Sequence, residues 1–589
     1  MREKFLKIKK NLIYFLCGFL LAAFMLPSLP NLSINLFSQD QKIIALSQNL
    51  NRENINSPLG INLNGIAYWS SQQPFLDYFK SSRQWITQCA KADPDCRGEW
   101  NTKEEELLDL DENGWVKSLP SPEDSPEYTR VSTVFMKGTK GIPNQFVGGK
   151  YIVLYEGEGK ISYGLSAKQD EAASTPGRDV IDVDASKSNG ILITILETDP
   201  NKTGNYIKNI RVIKAENESL YRSGGIFNPE FIEKINKFRS LRFMDWMGTN
   251  HSQQKEWKDR PTPDMATYTL KGVPLEVMVA LANQVQADPW FNMPHMATDE
   301  YMANFAQSVK KSLDPNLNVY VEFSNEVWNW NFQQTHYALK QGQKRWGEDK
   351  GDAFRQWYGM RSAQMCEIWK GTFGNEKGRV VCVMGAHTNA KGSETKVLDC
   401  PYWVAEGNKP CYQHGIDAYA ITGYFSGALG QPENASTVES WLKDRDEGMK
   451  KAFKQLRKGG LLPDDRDSLM DNYEKFVYHS NIAKERGLQL VAYEGGQHIV
   501  GRKDVVNNEK LTNFFIEINR HPQMYELYTQ LFKDWKEVGG TMFMHFVDVG
   551  KPTKWGSWGA LEYVDQSESP KYSALMDFIT QNSCWWEGC

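Results

Sequence analysis

Two glutamates stand where apolar strand patterns run out. In NVYVEFSNEVWNW (residues 318–330) an alternating apolar run stops at Ser324 and Asn325, and Glu326 follows. In LQLVAYEGGQH (residues 488–498) a similar run delivers Glu494. A carboxylate at the end of a buried strand must be paired or put to chemical use. Two carboxyl groups facing each other can divide the work, one giving and taking back a proton while the other attacks as a nucleophile. Other polar residues close strand patterns as well: Arg242, Asp245, Asp288, His295, Asn325, His387, Tyr424, His498, His545 and Asp548, with Trp555 and Trp558 beyond. Structural hydrogen bonding is the expectation for Asp245, Asp288, Asp548, His498 and His545. A metal site built from Asp288, His295, His387 and His498 matches no ligand spacing, so no metal is expected.

The elements that must position these residues alternate. Strand patterns occur at GINLNGIAYWS (60–70), FRSLRFMDWMG (238–248), DPWFNMPHM (288–296), residues 318–329, GRVVCVMGAHT (378–388), IDAYAITGYF (416–425), residues 488–498 and TMFMHFVDVG (541–550). Between most of them lie helical patterns, such as LEVMVALANQV (275–285), residues 300–313, 354–373, 473–487 and 524–539. Residues 74–88, PFLDYFKSSRQWITQ, also read as an amphipathic helix, with Pro in its first turn. Eight strands with intervening helices predict an α/β fold, a (β/α)8 TIM barrel. A doubly wound sheet is disfavoured because no Gly-rich phosphate fingerprint follows the first strand. In such a barrel the chemistry sits at the C-terminal strand ends, where strands four and seven face each other.

Residues 129–217 alternate with period two and show no helical pattern, which predicts an antiparallel β-sandwich inserted after the first barrel strand. The expected organisation is a signal peptide or signal anchor at 1–27, a linker at 28–58, the first barrel strand and helix plus a loop at 59–128, the sandwich at 129–217, the rest of the barrel at 218–582 and a tail at 583–589. Basic residues from Arg2 to Lys10 precede an apolar run at 12–26, closed by Pro27 and Pro30. That run predicts export, with cleavage or with retention as a membrane anchor, since it is short for a span and lacks a clean cleavage site. Apart from Cys17, eight cysteines remain, and Cys89 with Cys96, Cys400 with Cys411 and Cys584 with Cys589 are expected to pair in an oxidising compartment. Cys366 and Cys382 are expected to be buried thiols. A net charge of -5 gives no footprint for nucleic acid or an anionic membrane surface, and 12% aromatic residues, 19 of them Trp, supply flat rings that pack cores and stack on sugars.

Asn-Glu in FSNEVWN closing strand four, Glu in AYEGG closing strand seven, Arg242 near the end of strand two, aromatic-His positions at strands three and six and Trp after strand eight together resemble the clan A glycoside hydrolases. The resemblance spans about residues 60–579 apart from the insert. It implies a retaining enzyme, with Glu326 as acid/base and Glu494 as nucleophile, separated by about 5–5.5 Å. It further implies that Arg242 holds Glu494 ionised, that Tyr424 donates to the same carboxylate, and that Asn325 meets a sugar 2-hydroxyl. His295 and His387 would serve sugar hydroxyls or Glu326, and Trp555 or Trp558 would floor the site. The implied substrate is a polysaccharide, cleaved as by an endo-β-glucanase or related β-1,4-glycanase, with no cofactor. An exo-acting β-glycosidase and a non-catalytic carbohydrate-binding barrel are the alternatives. Two features depart from the pattern: the place of the insert, and the long charged segment 426–471.

Overall fold

The computed structural model describes residues 54–89, 100–120, 128–138, 141–187, 189–587 and 589. The expected signal segment, nearly all of the linker, Cys17 and Cys96 lie outside these residues. The first strands in chain order are β1 (Leu59–Asn62), β2 (Ile86–Gln88), β3 (Arg130–Phe135), β4 (Gly149–Glu156), β5 (Gly159–Leu165), β6 (Ala167–Gln169), β7 (Arg178–Val183), β8 (Ile191–Thr198) and β9 (Lys208–Lys214). They are followed by β10 (Ser240–Arg242), β11 (Asp288–Met293), β12 (Val319–Phe323), β13 (Val380–Gly385), β14 (Ala418–Phe425), β15 (Gln489–Gln497) and β16 (Phe543–His545).

The strands β1, β10, β11, β12, β13, β14, β15 and β16 form a closed barrel in that order, every pair parallel. This is the expected TIM barrel. Its strands are covered by helices on one face and filled from within on the other, so they read as nearly unbroken apolar runs. The helices Leu275–Val285, Asp299–Ser312, Ala353–Phe373, Leu469–Glu485 and Gln523–Glu537 each bury an apolar stripe.

Two antiparallel four-stranded sheets, β2-β3-β8-β5 and β6-β7-β4-β9, lie in sequence between the first and second barrel strands. The expected helix over 74–88 does not form. That segment holds one 3-10 turn, Tyr78–Ser81, and then β2, which joins the insert's sheet beside β3. The reason is burial on two sides. Phe75 packs on Trp246 and Tyr268, whereas Tyr78 meets Tyr151 and Phe79 meets Phe135 and Trp115. A helix with a single apolar stripe cannot serve both neighbours, and Asp77 fixes the turn by accepting from the amides of Phe79 and Val212 and pairing with Arg211 at 3.4 Å. The insert's first strand is therefore at residue 86, ahead of the expected 129.

Disulfides join Cys400 to Cys411 and Cys584 to Cys589, and Cys89 is also disulfide-bonded. Cys366 and Cys382 are not thiols: they form a third described disulfide across Cα atoms 5.7 Å apart. The helix Ala353–Phe373 packs on β13, the strand it feeds, and that contact brings the two together. No helix among the described residues is long and apolar enough to cross a membrane.

Candidate active site

Arg242, the last residue of β10, is fully buried in the mouth of the barrel and uses every guanidinium hydrogen. Nε donates to Glu322 at 3.2 Å, one terminal nitrogen to Asn62 (3.0 Å) and Glu494 (2.8 Å), and the other to Glu322 (2.9 Å) and Asn325 (2.9 Å). The guanidinium also lies between the rings of Trp290 and Tyr493, 5.6 and 5.1 Å from their centroids. Parallel register sets this up, since Arg242 sits beside Asn62 on one neighbour and beside Trp290 on the other.

Glu494 lies within β15 next to an irregularity. Ala492 pairs with Ile421 but Glu494 with Thr422, so Tyr493 is an extra residue on its strand. The same break shows against β16, between Ala492 and Gly495. Such a bulge lets neighbouring side chains escape strict alternation. Tyr493 and Glu494 consequently serve one site: the Tyr493 hydroxyl donates to Glu326 Oε1 at 2.8 Å, and Glu494 takes hydrogen bonds from Arg242 and, at 3.0 Å on Oε2, from Tyr424.

Glu326 follows β12 on a tight turn. Ser324 and Glu326 both have left-handed backbone, φ 61° and 40°, a conformation that side-chain-bearing residues hold only where their surroundings impose it. Asn329 secures the turn by donating its amide to the Glu326 carbonyl (2.8 Å) and its side chain to Oε2 (2.9 Å). Half-buried Glu326 opens onto a cavity of about 250 Å³ shared with His387, Asn329 and Tyr424. A second cavity of about 400 Å³ continues past Trp328 and Trp330.

The remaining expected site residues divide into two groups. His387 lines both cavities beside Glu326. Trp558 stands edge-on to Tyr424, ring centroids 6.1 Å apart, and to His498 at 4.7 Å. Trp555 is 65% exposed and lines neither cavity. His295 is buried beside Tyr337 and also lines neither. Asn325 is buried, its carboxamide spent on Arg242 and Asn250. Asp288 and Asp548 are structural: the first accepts from the Asn318 amide, the second from Gln72 and the Asn64 amide. Among the described residues no group of three or more His, Cys, Asp or Glu side chains is gathered to hold a metal ion.

Glu322, Trp290, Asn62, Tyr493 and Asn329 escape sequence reading. Glu322 gives a weak signal, an acid inside an otherwise apolar strand. Tyr493 gives a misleading one, because alternation assigns it to the face opposite Glu494.

The electrostatics correct one expectation. Arg242 touches Glu494 without winning: burial pushes that carboxyl up to about 8, with the charge of Glu326 and then Asp245 adding to it. One cation is shared by Glu322 and Glu494, so neither receives its whole field. Burial also holds His295 at about 4 and His498 and His545 at about 3, all three neutral rings at pH 7.

No family model matches the chain, and no curated protein does. Solved structures overlap it at low similarity. They include a native Bacteroidetes-affiliated GH5 cellulase linked with a polysaccharide utilization locus, 11% identical over 61% of this chain and 84% of that one, TM-score 0.34. Another is a GH10 protein from Paenibacillus barcinonensis, 14% identical over 60% and 92%, TM-score 0.33. A GH5-4 broad-specificity endoglucanase from Clostridium acetobutylicum is 13% identical over 60% and 89%, TM-score 0.33. Overlaps of this size identify neither a substrate nor a mechanism for this chain.

Proposed function

We propose that this chain is an exported retaining glycoside hydrolase that cleaves β-glycosidic bonds in a polysaccharide, in the manner of an endo-β-glucanase or related β-1,4-glycanase. The observation that carries the reading is the pair of carboxyl groups at one barrel mouth, Glu326 on the cleft and Glu494 behind it, each held by a tyrosine hydroxyl. In this reading Glu326 protonates the leaving oxygen while Glu494 attacks the anomeric carbon, and Glu326 then takes a proton from the water that releases the sugar. Arg242 and Tyr424 stabilise the Glu494 carboxylate as it forms and departs. Asn325 keeps the carboxylate-binding cation in place, His387 and Trp558 offer polar and apolar contacts to the sugar, and Trp555 extends the apolar surface outward. Buried His295 supports the wall. The disulfides among the described residues and the basic-apolar N-terminus support export.

The test is release of reducing sugar from β-glucans, mannans and xylans by the protein and by Glu326→Gln and Glu494→Gln. Each change is expected to cut release about a thousand-fold or more. Release that survives both would put the chemistry elsewhere. One observation favours a second reading, a carbohydrate-binding barrel without turnover: Glu494 is nearly fully buried and its pKa is raised, a poor state for a nucleophile. Polysaccharide binding with no release at any pH would establish that alternative.

A further inference from the structure

The cleft beside Glu326 carries a cation with no carboxylate in contact: Asp467 and Glu326 act on Arg502 only through space. Four charged side chains line the first cavity: Glu326, Asp467, Lys475 and Arg502. Lys475 is spent, its Nζ 2.6 Å from Asp467. Arg466, the next cation along, is paired with Asp464 at 2.8 Å. Arg502 lies on the exposed rim and lines the second cavity as well. Among the described residues its side chain makes hydrogen-bond contacts only with the ring nitrogens of His498, at 3.1 and 3.2 Å, and no carboxylate comes within ion-pairing distance. A neutral imidazole accepts one hydrogen bond and carries no balancing charge.

Charge accounting gives this arrangement its meaning. Asp467 and Lys475 cancel, and Glu326 is neutral in the step that donates its proton, so one positive charge is then left in a wall otherwise made of amides, hydroxyls, the rings of His387 and His498 and apolar groups such as Phe425 and Val500. The guanidinium keeps most of its donors free, in the planar fork that grips a carboxylate or sulfate with two hydrogen bonds. A neutral glycan needs no such group.

We infer that Arg502 is the anchor of a subsite for an acidic sugar, and that the polysaccharide cut next to Glu326 carries a carboxylate or sulfate group. This inference rests on the proposed hydrolase reading for the cut, but the subsite itself can be measured without turnover. The probes are matched β-1,4-linked oligosaccharides, glucuronate with glucose and mannuronate with mannose, each pair differing only in a carboxylate or a hydroxymethyl group at the same carbon. Binding is measured on the full chain carrying Glu326→Gln, and cleavage on the unaltered chain. The acidic member of at least one pair is expected to bind about ten-fold tighter, the scale of one charge-assisted contact, with the preference shrinking as salt rises. Arg502→Gln should bring the acidic-to-neutral ratio close to one, and Arg502→Lys should retain part of it. The subsite is overturned if the acidic member is not preferred in either pair, or if Arg502→Gln leaves the ratio unchanged. Acidic preference without cleavage would keep the subsite and remove the hydrolase, whereas cleavage of neutral glycans without acidic preference would do the reverse.

Discussion

Arg242 shows how one residue can govern several. Its guanidinium is the shared counter-charge of Glu322 and Glu494, and all three are buried. Replacing it by Met would leave two buried carboxyl groups without a cation, an expected loss of about 3–5 kcal/mol, measurable by urea unfolding. Glu322→Gln added to that variant should recover part of the loss, because one fewer buried charge is then unanswered. The same sharing governs pH. A nucleophile must be ionised, and burial raises the Glu494 carboxyl to about 8, so in Glu326→Gln acting on an aryl glycoside whose leaving group needs no proton, kcat/KM should keep rising above pH 5 rather than level off there. Tyr424→Phe removes a hydrogen bond that favours the ionised form and should move that acid limb upward. Arg242, Glu326 and Glu494 were legible in the sequence because each interrupts an apolar strand at its end. Glu322 was not, since an acid in mid-strand reads as a solvent-facing position until closure of the barrel turns it inward.

At the scale of elements, the eight barrel strands were legible because burial on both faces makes them largely apolar, with polar residues concentrated where the site is built. The segment 74–88 was misread because its apolar residues answer two different neighbours, and no single period describes that. The disulfide between the helix Ala353–Phe373 and β13 was misread for a related reason, as its cysteines lie in sequence between the nearer pairs and meet only through helix-on-strand packing. Its sequence separation of 16 gives an expected stabilisation of about 3 kcal/mol. Cys382→Ser should lower the urea midpoint accordingly.

At the scale of the molecule, buried titratable groups set the pH range of the fold. His498 and His545 titrate near 3 in the folded chain, against 6.5 when free. The unfolded chain therefore takes up protons first as pH falls below 6.5, and stability drops. Glu494, Asp548 and Asp245, raised to about 8, 7 and 6 from 4.5 and 3.8, act in the opposite sense. Their contribution is complete below the free carboxyl values and is lost as pH rises through the folded ones. The two effects oppose each other between about 6.5 and 4.5, and below about 4 only the histidine loss continues. Thermal midpoints should be nearly level across the first interval and fall steeply toward pH 3. The insert belongs to the same body, since Ser47–Cys589 forms one compact unit and Asp77 ties the segment after β1 to β9. That linkage was invisible in the sequence, where barrel and sandwich differ in period and read as separate pieces.

The bulge in β15 has a mechanical consequence. One strand carries Glu494 itself and the hydroxyl that grips Glu326, on consecutive residues. If the barrel wall breathes, β15 carries both attachments in the same direction, so the motion is common to the two carboxyl groups and largely drops out of the gap between them. A caliper whose jaws share one rail holds its setting in the same way.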